Sequence, residues 1–292
     1  MSDNAPIIFV WLGKLPVWVN EPLKFANAKN INRRIILISD SKPFSKLPQD
    51  ISFVNLSSEY ISEMIKRLPK LSDSGDFWIK CSLRFFVLED YVTKSRISKF
   101  FHAELDNAVF NLDSLSTIFD LKGKGLFVPR DSESRAIASL IYCNRNESLK
   151  ELVHLYNKPH PPSNDMVALS MYAKIYPTYF YSLPTESFHF NSRLWKVLDP
   201  CITNGIFDAA TIGQYLLGID PNILPFKPSL NGFINENCNI DLKAIKFFLK
   251  KGKIFIYYPS LFTDFPIYNL HLHSKNWIKF NQLMRNGRIL ER

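Results

Sequence analysis

Glycine is scarce, with ten in 292 residues, which argues against a protein built on glycine-rich phosphate loops. No G-x-x-x-x-G-K-[ST] is present, and Gly123-Lys-Gly125 is too short for a dinucleotide fingerprint. H-E-x-x-H and G-x-S-x-G are missing as well, which removes the zinc-protease and serine-hydrolase signatures. The four cysteines (Cys81, Cys143, Cys201 and Cys238) are far apart and form no C-x-x-C pair. That spacing excludes a clustered zinc site or a disulfide framework and fits the reduced thiols of a cytosolic protein. Apolar runs such as Ile7–Leu12 and Ile254–Tyr258 fall far short of the ~20 residues of a membrane-spanning helix. Met1-Ser-Asp-Asn lacks the basic start of a signal peptide. No repeat or low-complexity linker divides the chain.

What remains is globular. Hydrophobic residues make up 46% and charged residues 22%, and 24 phenylalanines supply a sizeable core. The net charge of +9 is unevenly placed. From Lys243 to Arg292 there are ten Lys/Arg against two acids, Asp264 and Glu291, so the body is close to neutral. A pI near 9.2 and a basic, aromatic-bearing tail suggest a nucleic-acid-binding module as one class. The neutral body and the lack of a reading motif argue against it.

Pro6-Ile-Ile-Phe-Val-Trp-Leu-Gly13, Arg34–Asp40 and Ile51–Leu56 read as buried strands, with a crossover helix at Glu21–Lys29. Strand, helix, strand, strand is how a nucleotide-binding α/β sheet begins. Apolar spacing predicts a helix over Phe77–Val92, then a strand from Ile97 running directly into acids. Leu126–Pro129, Ser139–Tyr142 and Lys253–Tyr258 read as further strands. Helices are expected at Glu147–Tyr156, from Asp165 to about Lys174 (capped by Asn164 or Ser163), and from Phe207-Asp208 to Gly218, with a loop at Pro221–Gly232.

Three constellations carry chemistry. In Phe100-Phe-His-Ala-Glu-Leu-Asp-Asn107, two carboxylates at i and i+2 close a strand. They reach one point only if the strand gives way to a turn, an arrangement suited to a hard divalent cation that also grips a diphosphate. Alone, such a pair is more often a solvated pair of loop acids. The second is Asn269-Leu-His-Leu-His-Ser-Lys275, where alternation puts both imidazoles on one face and a lysine follows for phosphate. The third is Phe207-Asp-Ala-Ala-Thr-Ile-Gly-Gln-Tyr-Leu-Leu-Gly-Ile-Asp-Pro221, which has an acid at a helix start and ends at Gly218-Ile-Asp220.

An N-terminal strand ending Trp-Leu-Gly13, a helix with Lys80 and Arg84, a strand into the acids Glu104 and Asp106, and a C-terminal His-x-His-Ser-Lys275, in that order along the chain, resemble the GT-A-fold, nucleotide-sugar-dependent glycosyltransferases of bacterial surface polysaccharide pathways. The resemblance runs from Ile7 to about Trp277, with Glu104 in the first place of a D-x-D-like motif and Asp106 in the last. It implies a single α/β domain with a mixed sheet flanked by helices over 1–278. Residues 1–115 would be its nucleotide half, 116–278 its acceptor half, and 279–292 a basic amphipathic tail. It further implies Mn²⁺ or Mg²⁺ held by Asp106 with His271 or His273. Trp11, Gly13, Lys80, Arg84, Glu104, Asp106, Asn107, Gln214 and Lys275 are the implied contacts of the nucleotide-sugar.

Asp208, with Asp165 as its rival, would be the base facing the acceptor hydroxyl if the enzyme inverts. The donor would be a nucleotide-sugar, most simply a UDP-sugar, and the acceptor a glycan or lipid-linked glycan, with no nucleic acid involved. A degenerate relative that only binds glycans is the other alternative. In the tail, Trp277, Ile278, Phe280, Leu283 and Met284 alternate with cations, a stripe expected to lie against an anionic membrane on its cytoplasmic side.

Overall fold

A computed structural model describes residues 4–68, 76–132, 135–186, 197–218, 246–258 and 263–286. The expected loop at Pro221–Gly232, and with it Cys238, Asp220, Lys243, Arg288 and Arg292, lies outside the described residues. The chain opens with β1 (Ile7–Trp11), α1 (Asn20–Lys29), β2 (Ile35–Ser39), β3 (Ile51–Asn55), α2 (Ser58–Lys66), α3 (Asp76–Lys94) and β4 (Phe100–Ala103). Next come β5 (Asn107–Val109), α4 (Leu115–Lys122), β6 (Leu126–Pro129), β7 (Leu140–Cys143), α5 (Asn146–His154), α6 (Asp165–Ile175) and β8 (Phe180–Leu183). The last part holds α7 (Pro200–Thr203), α8 (Ile212–Leu217), β9 (Lys246–Lys250), β10 (Lys253–Tyr258), β11 (Thr263–Pro266), β12 (Asn269–His271) and α9 (Trp277–Asn286).

Seven strands form one mixed sheet in the order β3-β2-β1-β4-β7-β6-β8. β1 pairs in parallel with both β2 and β4, while β7 runs antiparallel to its neighbours β4 and β6. β1, β2 and β7 are buried on both faces and correspondingly apolar, while the edge strand β3 is only partly buried. Ile8, Val10, Ile36 and Ile38 pack towards α2, α3, α5 and α6. Ile7, Phe9, Ile35 and Leu37 pack towards α1 and α4. A third core gathers β9 to β12 with α8 and α9, around Phe247, Ile254, Leu270, Trp277 and Phe280.

The chain leaves β1 towards β2 and β3 on one side, then returns to β4 on the other. In an open α/β sheet, the crevice beyond the carboxyl ends of two such strands is where ligands bind. Both Gly13 and the acids after Ala103 sit at that edge.

Beyond short elements the sequence did not announce, such as α2, α4, β5, β8 and β12, the structure shifts four of the expected ones. Residues 97–99 are not strand; β4 starts at Phe100, and Glu104–Asp106 lie in the turn to β5. The helix expected from Phe207-Asp208 starts at Ile212, because Asp208 caps it from four residues back. The Lys-rich stretch from Lys246 is itself strand, paired with β10. Finally, α9 straddles the expected boundary at 278/279, and its stripe turns inward: Trp277 and Phe280 are buried, with Leu283 and Met284 packed beside them.

Candidate active site

The acidic turn is closed by the Asn107 amide donating to the Glu104 carbonyl at 3.0 Å. β5 then pairs antiparallel with β12, which sets His271 opposite Asn107, and the Leu272 amide donates to the Asp106 carbonyl at 2.8 Å. Two segments more than 160 positions apart in the chain thus meet at one point. His271 Nε2 lies 3.3 Å from Asp106 Oδ1 and 3.7 Å from Glu104 Oε2. One ligand atom from each of these three residues falls within 4.8 Å of the other two. Two carboxylates and an imidazole are a donor set that Mn²⁺ or Mg²⁺ accepts, so the residues present fit the implied metal. Asp106 and His271 meet here as expected, and the His273 ring sits 4.3 Å from that of His271.

Burial alone would raise the Asp106 carboxyl. The charges of His271, Lys275 and His273 outweigh it and hold the carboxyl well below the usual range. Burial likewise opposes a charged His271, yet Asp106 first, then Glu104 and Asp208, push its pKa up to about 9. Without a metal, the cluster is held together by a proton on His271.

Arg84, expected at the nucleotide, is buried in α3 and donates to Glu104 Oε1 at 2.5 Å and to Asp165 Oδ2. Asp165 lies in the first turn of α6, which Asn164 caps by accepting the Val167 amide at 2.9 Å. Asp165 therefore does not face an acceptor hydroxyl; it is buried against the guanidinium that steadies Glu104. Burial opposes charge on Arg84, but Glu104 and Asp165 keep it firmly protonated. His102 lies close by on β4, and burial, reinforced by Arg84, pushes it down to about 3. It stays neutral, with Nδ1 at 3.0 Å from the Ile8 carbonyl.

One turn before Arg84, on the same face of α3, Lys80 reaches the end of β1. A Cβ on Gly13 would lie 3.1 Å from Lys80 Nζ, and Gly13 has φ +96, a conformation that favours glycine. Asp40, just past β2, accepts the Gly13 amide at 2.7 Å, and Ser41 Oγ donates to the Gly13 carbonyl at 2.7 Å. Trp11 donates its indole N–H to the Lys14 carbonyl. Gly13 and Lys80 thus form a second group at the sheet edge, linked to the acidic group through α3, while Trp11 packs edge-on against Trp18.

Asp208 departs most from expectation. It is completely buried, and its two oxygens accept the amides of Thr211, Ile212, Gly213 and His271 at 2.7 to 2.9 Å. Burial raises its pKa, against the pull of those bonds and of His271. With both oxygens taken, it cannot serve as the acceptor's base. Asn107 is also buried, and its Oδ1 accepts from Asn269 Nδ2 at 2.9 Å, which ties it into the framework, while its Nδ2 has no hydrogen-bond partner among the described residues. Gln214 is buried within α8.

The sequence reading missed Asp40, Ser41, Ser139 and Asn269. Asn269 ties β12 to Asn107 and to the backbone of Asp208, and Ser139 Oγ donates to the Asp208 carbonyl at 2.8 Å. The placement of Asp40 at the end of the second strand was the one available signal.

No protein-family model matches the chain, and no curated protein matches it. Solved structures do. Mouse xyloside xylosyltransferase 1 aligns at a TM-score of 0.41 and 10% identity, over 62% of this chain and 85% of that one. The glycosyltransferase GlyE of Streptococcus pneumoniae aligns at 0.39 and 16%, over 61% and 45%. An active-site mutant of LgtC aligns at 0.36 and 12%, over 60% and 65%. Likenesses this distant do not identify the chain, and the functional reading rests on the side chains of the site.

Proposed function

We propose that the chain is a GT-A-type glycosyltransferase. In this reading it moves a sugar from a nucleotide diphosphate donor, a UDP-sugar in the simplest case, to a glycan or lipid-linked glycan acceptor of a bacterial surface polysaccharide. The observation that carries the proposal is the convergence of Glu104, Asp106 and His271 at the switch point of the sheet. Asp106 and His271 hold the divalent ion, with Glu104 beside them. Once bound, Mn²⁺ or Mg²⁺ supplies positive charge against the leaving diphosphate.

The chain's own residues do the rest. Lys275 adds positive charge beside Asp106, where a diphosphate needs it, and His273 stands next to His271. Lys80 and the Gly13 turn receive the nucleotide at the end of β1. Arg84, held by Asp165, fixes the Glu104 carboxylate so that it does not swing out of the cluster. The work is cytoplasmic. Any membrane contact in this reading is peripheral; among the described residues, no helix is long and apolar enough to cross a membrane.

A thermal-shift panel of nucleotide diphosphate sugars with and without Mn²⁺ tests the proposal. A ligand at a hundred times its dissociation constant adds about 2.7 kcal/mol of stability. The expected result is a metal-dependent shift by one donor, abolished in Asp106→Ala. Salt-sensitive DNA retention with no response to any sugar nucleotide would favour a nucleic-acid module instead. Tight nucleotide binding without turnover would favour a non-catalytic relative.

A further inference from the structure

We infer that Asp208 is a positioning residue that locks His271 into the metal-binding turn, with the bare Cα of Gly213 as the other half of the lock. This inference rests on the metal reading above.

A metal-ligating histidine is ordinarily oriented through its second ring nitrogen, which donates to a carboxylate or carbonyl. His271 is held differently. Its Nε2 faces the acids, and its Nδ1 is buried with no hydrogen-bond partner among the described residues. What fixes the residue is its backbone. The His271 amide donates to Asp208 Oδ2 at 2.9 Å, and the Gly213 amide donates to that same oxygen at 2.8 Å. Oδ1 takes the Thr211 and Ile212 amides. One carboxylate therefore joins the first turn of α8 to the strand that carries the ligand.

The rest of Asp208 doubles the joint. Its amide donates to Asn269 Oδ1 at 3.1 Å, and its carbonyl accepts from Asn269 Nδ2 at 3.2 Å and from Ser139 Oγ at 2.8 Å. The loop is thus fastened to β12 at Asn269 and again at His271. Gly213 makes the approach possible: a Cβ there would lie 1.8 Å from the His271 carbonyl oxygen and 2.7 Å from its carbon. No side chain fits between α8 and that peptide.

Two changes break the lock from opposite sides. Asp208→Asn replaces one acceptor oxygen with an NH₂ that faces amides which also donate. Gly213→Ala drives a methyl group into the His271 peptide. Mn²⁺ affinity is measured by calorimetry on the full chain, well below each variant's melting midpoint, alongside His271→Ala and Asp106→Asn. Both lock variants should fold and bind Mn²⁺ about tenfold or more weakly, the usual scale for a residue that orients a ligand. His271→Ala should add little in the Asp208→Asn background, since both act through one ligand.

Mn²⁺ binding within twofold of the unaltered chain, in a folded Asp208→Asn protein, overturns the inference. If that variant does not fold, the same result in Gly213→Ala overturns it. Absence of Asp106-dependent Mn²⁺ binding in the unaltered chain removes the metal reading together with this one, whereas normal binding by both variants removes only the lock.

Discussion

Arg84 meets Glu104 at 2.5 Å across the gap between α3 and the end of β4, and its second terminal nitrogen is taken by Asp165. All three charges are largely out of water. Removing one member of a buried ion pair strands the others and costs roughly 3–5 kcal/mol. Arg84→Ala should therefore lower the denaturation midpoint sharply. Asp165→Asn, which keeps shape but loses charge, should cost less in stability while freeing Glu104 and weakening the metal site. Chemical denaturation read together with Mn²⁺ titration checks this; an Asp165→Asn protein with unchanged Mn²⁺ binding rules out the positioning role.

The His271 proton gives the site a pH dependence with a definite sign. Its folded pKa of about 9 lies above the ordinary value of 6.5. In the metal-free chain its contribution to stability is thus complete below about pH 6.5 and lost as pH rises through about 9. Metal needs the neutral ring, so binding must expel that proton. Between about pH 6 and 8, Mn²⁺ affinity should rise by about tenfold per pH unit, with close to one proton released. Calorimetry in buffers of different ionisation enthalpy measures the release. A flat affinity across that window excludes His271 as a ligand.

Lys80 and Gly13 form the other contact at the sheet edge, and each has a test. Lys80→Ala removes a half-exposed side chain and its surface ion pair with Asp76, which is worth little to stability, and should weaken nucleoside diphosphate binding with little change in melting temperature. Gly13→Ala places a Cβ at φ +96 and 3.1 Å from Lys80 Nζ, a backbone cost of roughly 1–2 kcal/mol. It should lower both stability and nucleotide affinity. Fluorescence titration with UDP, set against thermal unfolding, separates the two variants.

Most of the sheet was readable because β1, β2 and β6 are short apolar runs closed by Gly, Asp or Pro, and the two acids after β4 could meet only in a turn. His271 was singled out because the H-x-H before Lys275 kept company with the acidic pair in a series that resembles a known family; alone it would have read as a packed core histidine. The roles of Asp165, Asp208 and Asn107 were not readable. Each is a polar residue at an element boundary, and only the three-dimensional pairing shows that one Asp165 oxygen is taken by Arg84, both Asp208 oxygens by four amides, and the Asn107 oxygen by Asn269. The short strands β5 and β12 escaped for a similar reason: three residues carry no period, and their pairing joins segments far apart in the chain.

The C-terminal helix shows the same limit. Its spacing of Trp277, Phe280, Leu283 and Met284 among cations suits a membrane surface or a protein core equally well. The fold uses it for the core. Trp277 is buried, and Phe280 packs edge-on against both Phe25 and Trp277 with no exposed surface. Phe280→Ala should cost about 3–5 kcal/mol, the range for deleting a buried aromatic. Ile278, 74% exposed on the opposite side, should tolerate serine within about 0.5 kcal/mol. Urea denaturation of the two variants decides the matter. If Phe280→Ala is silent while Ile278→Ser abolishes binding to anionic vesicles, the helix belongs to the membrane after all. The expected pattern is the reverse. Truncation before Lys279 should then lower activity through loss of the fold, in step with the melting temperature and independently of any lipid present.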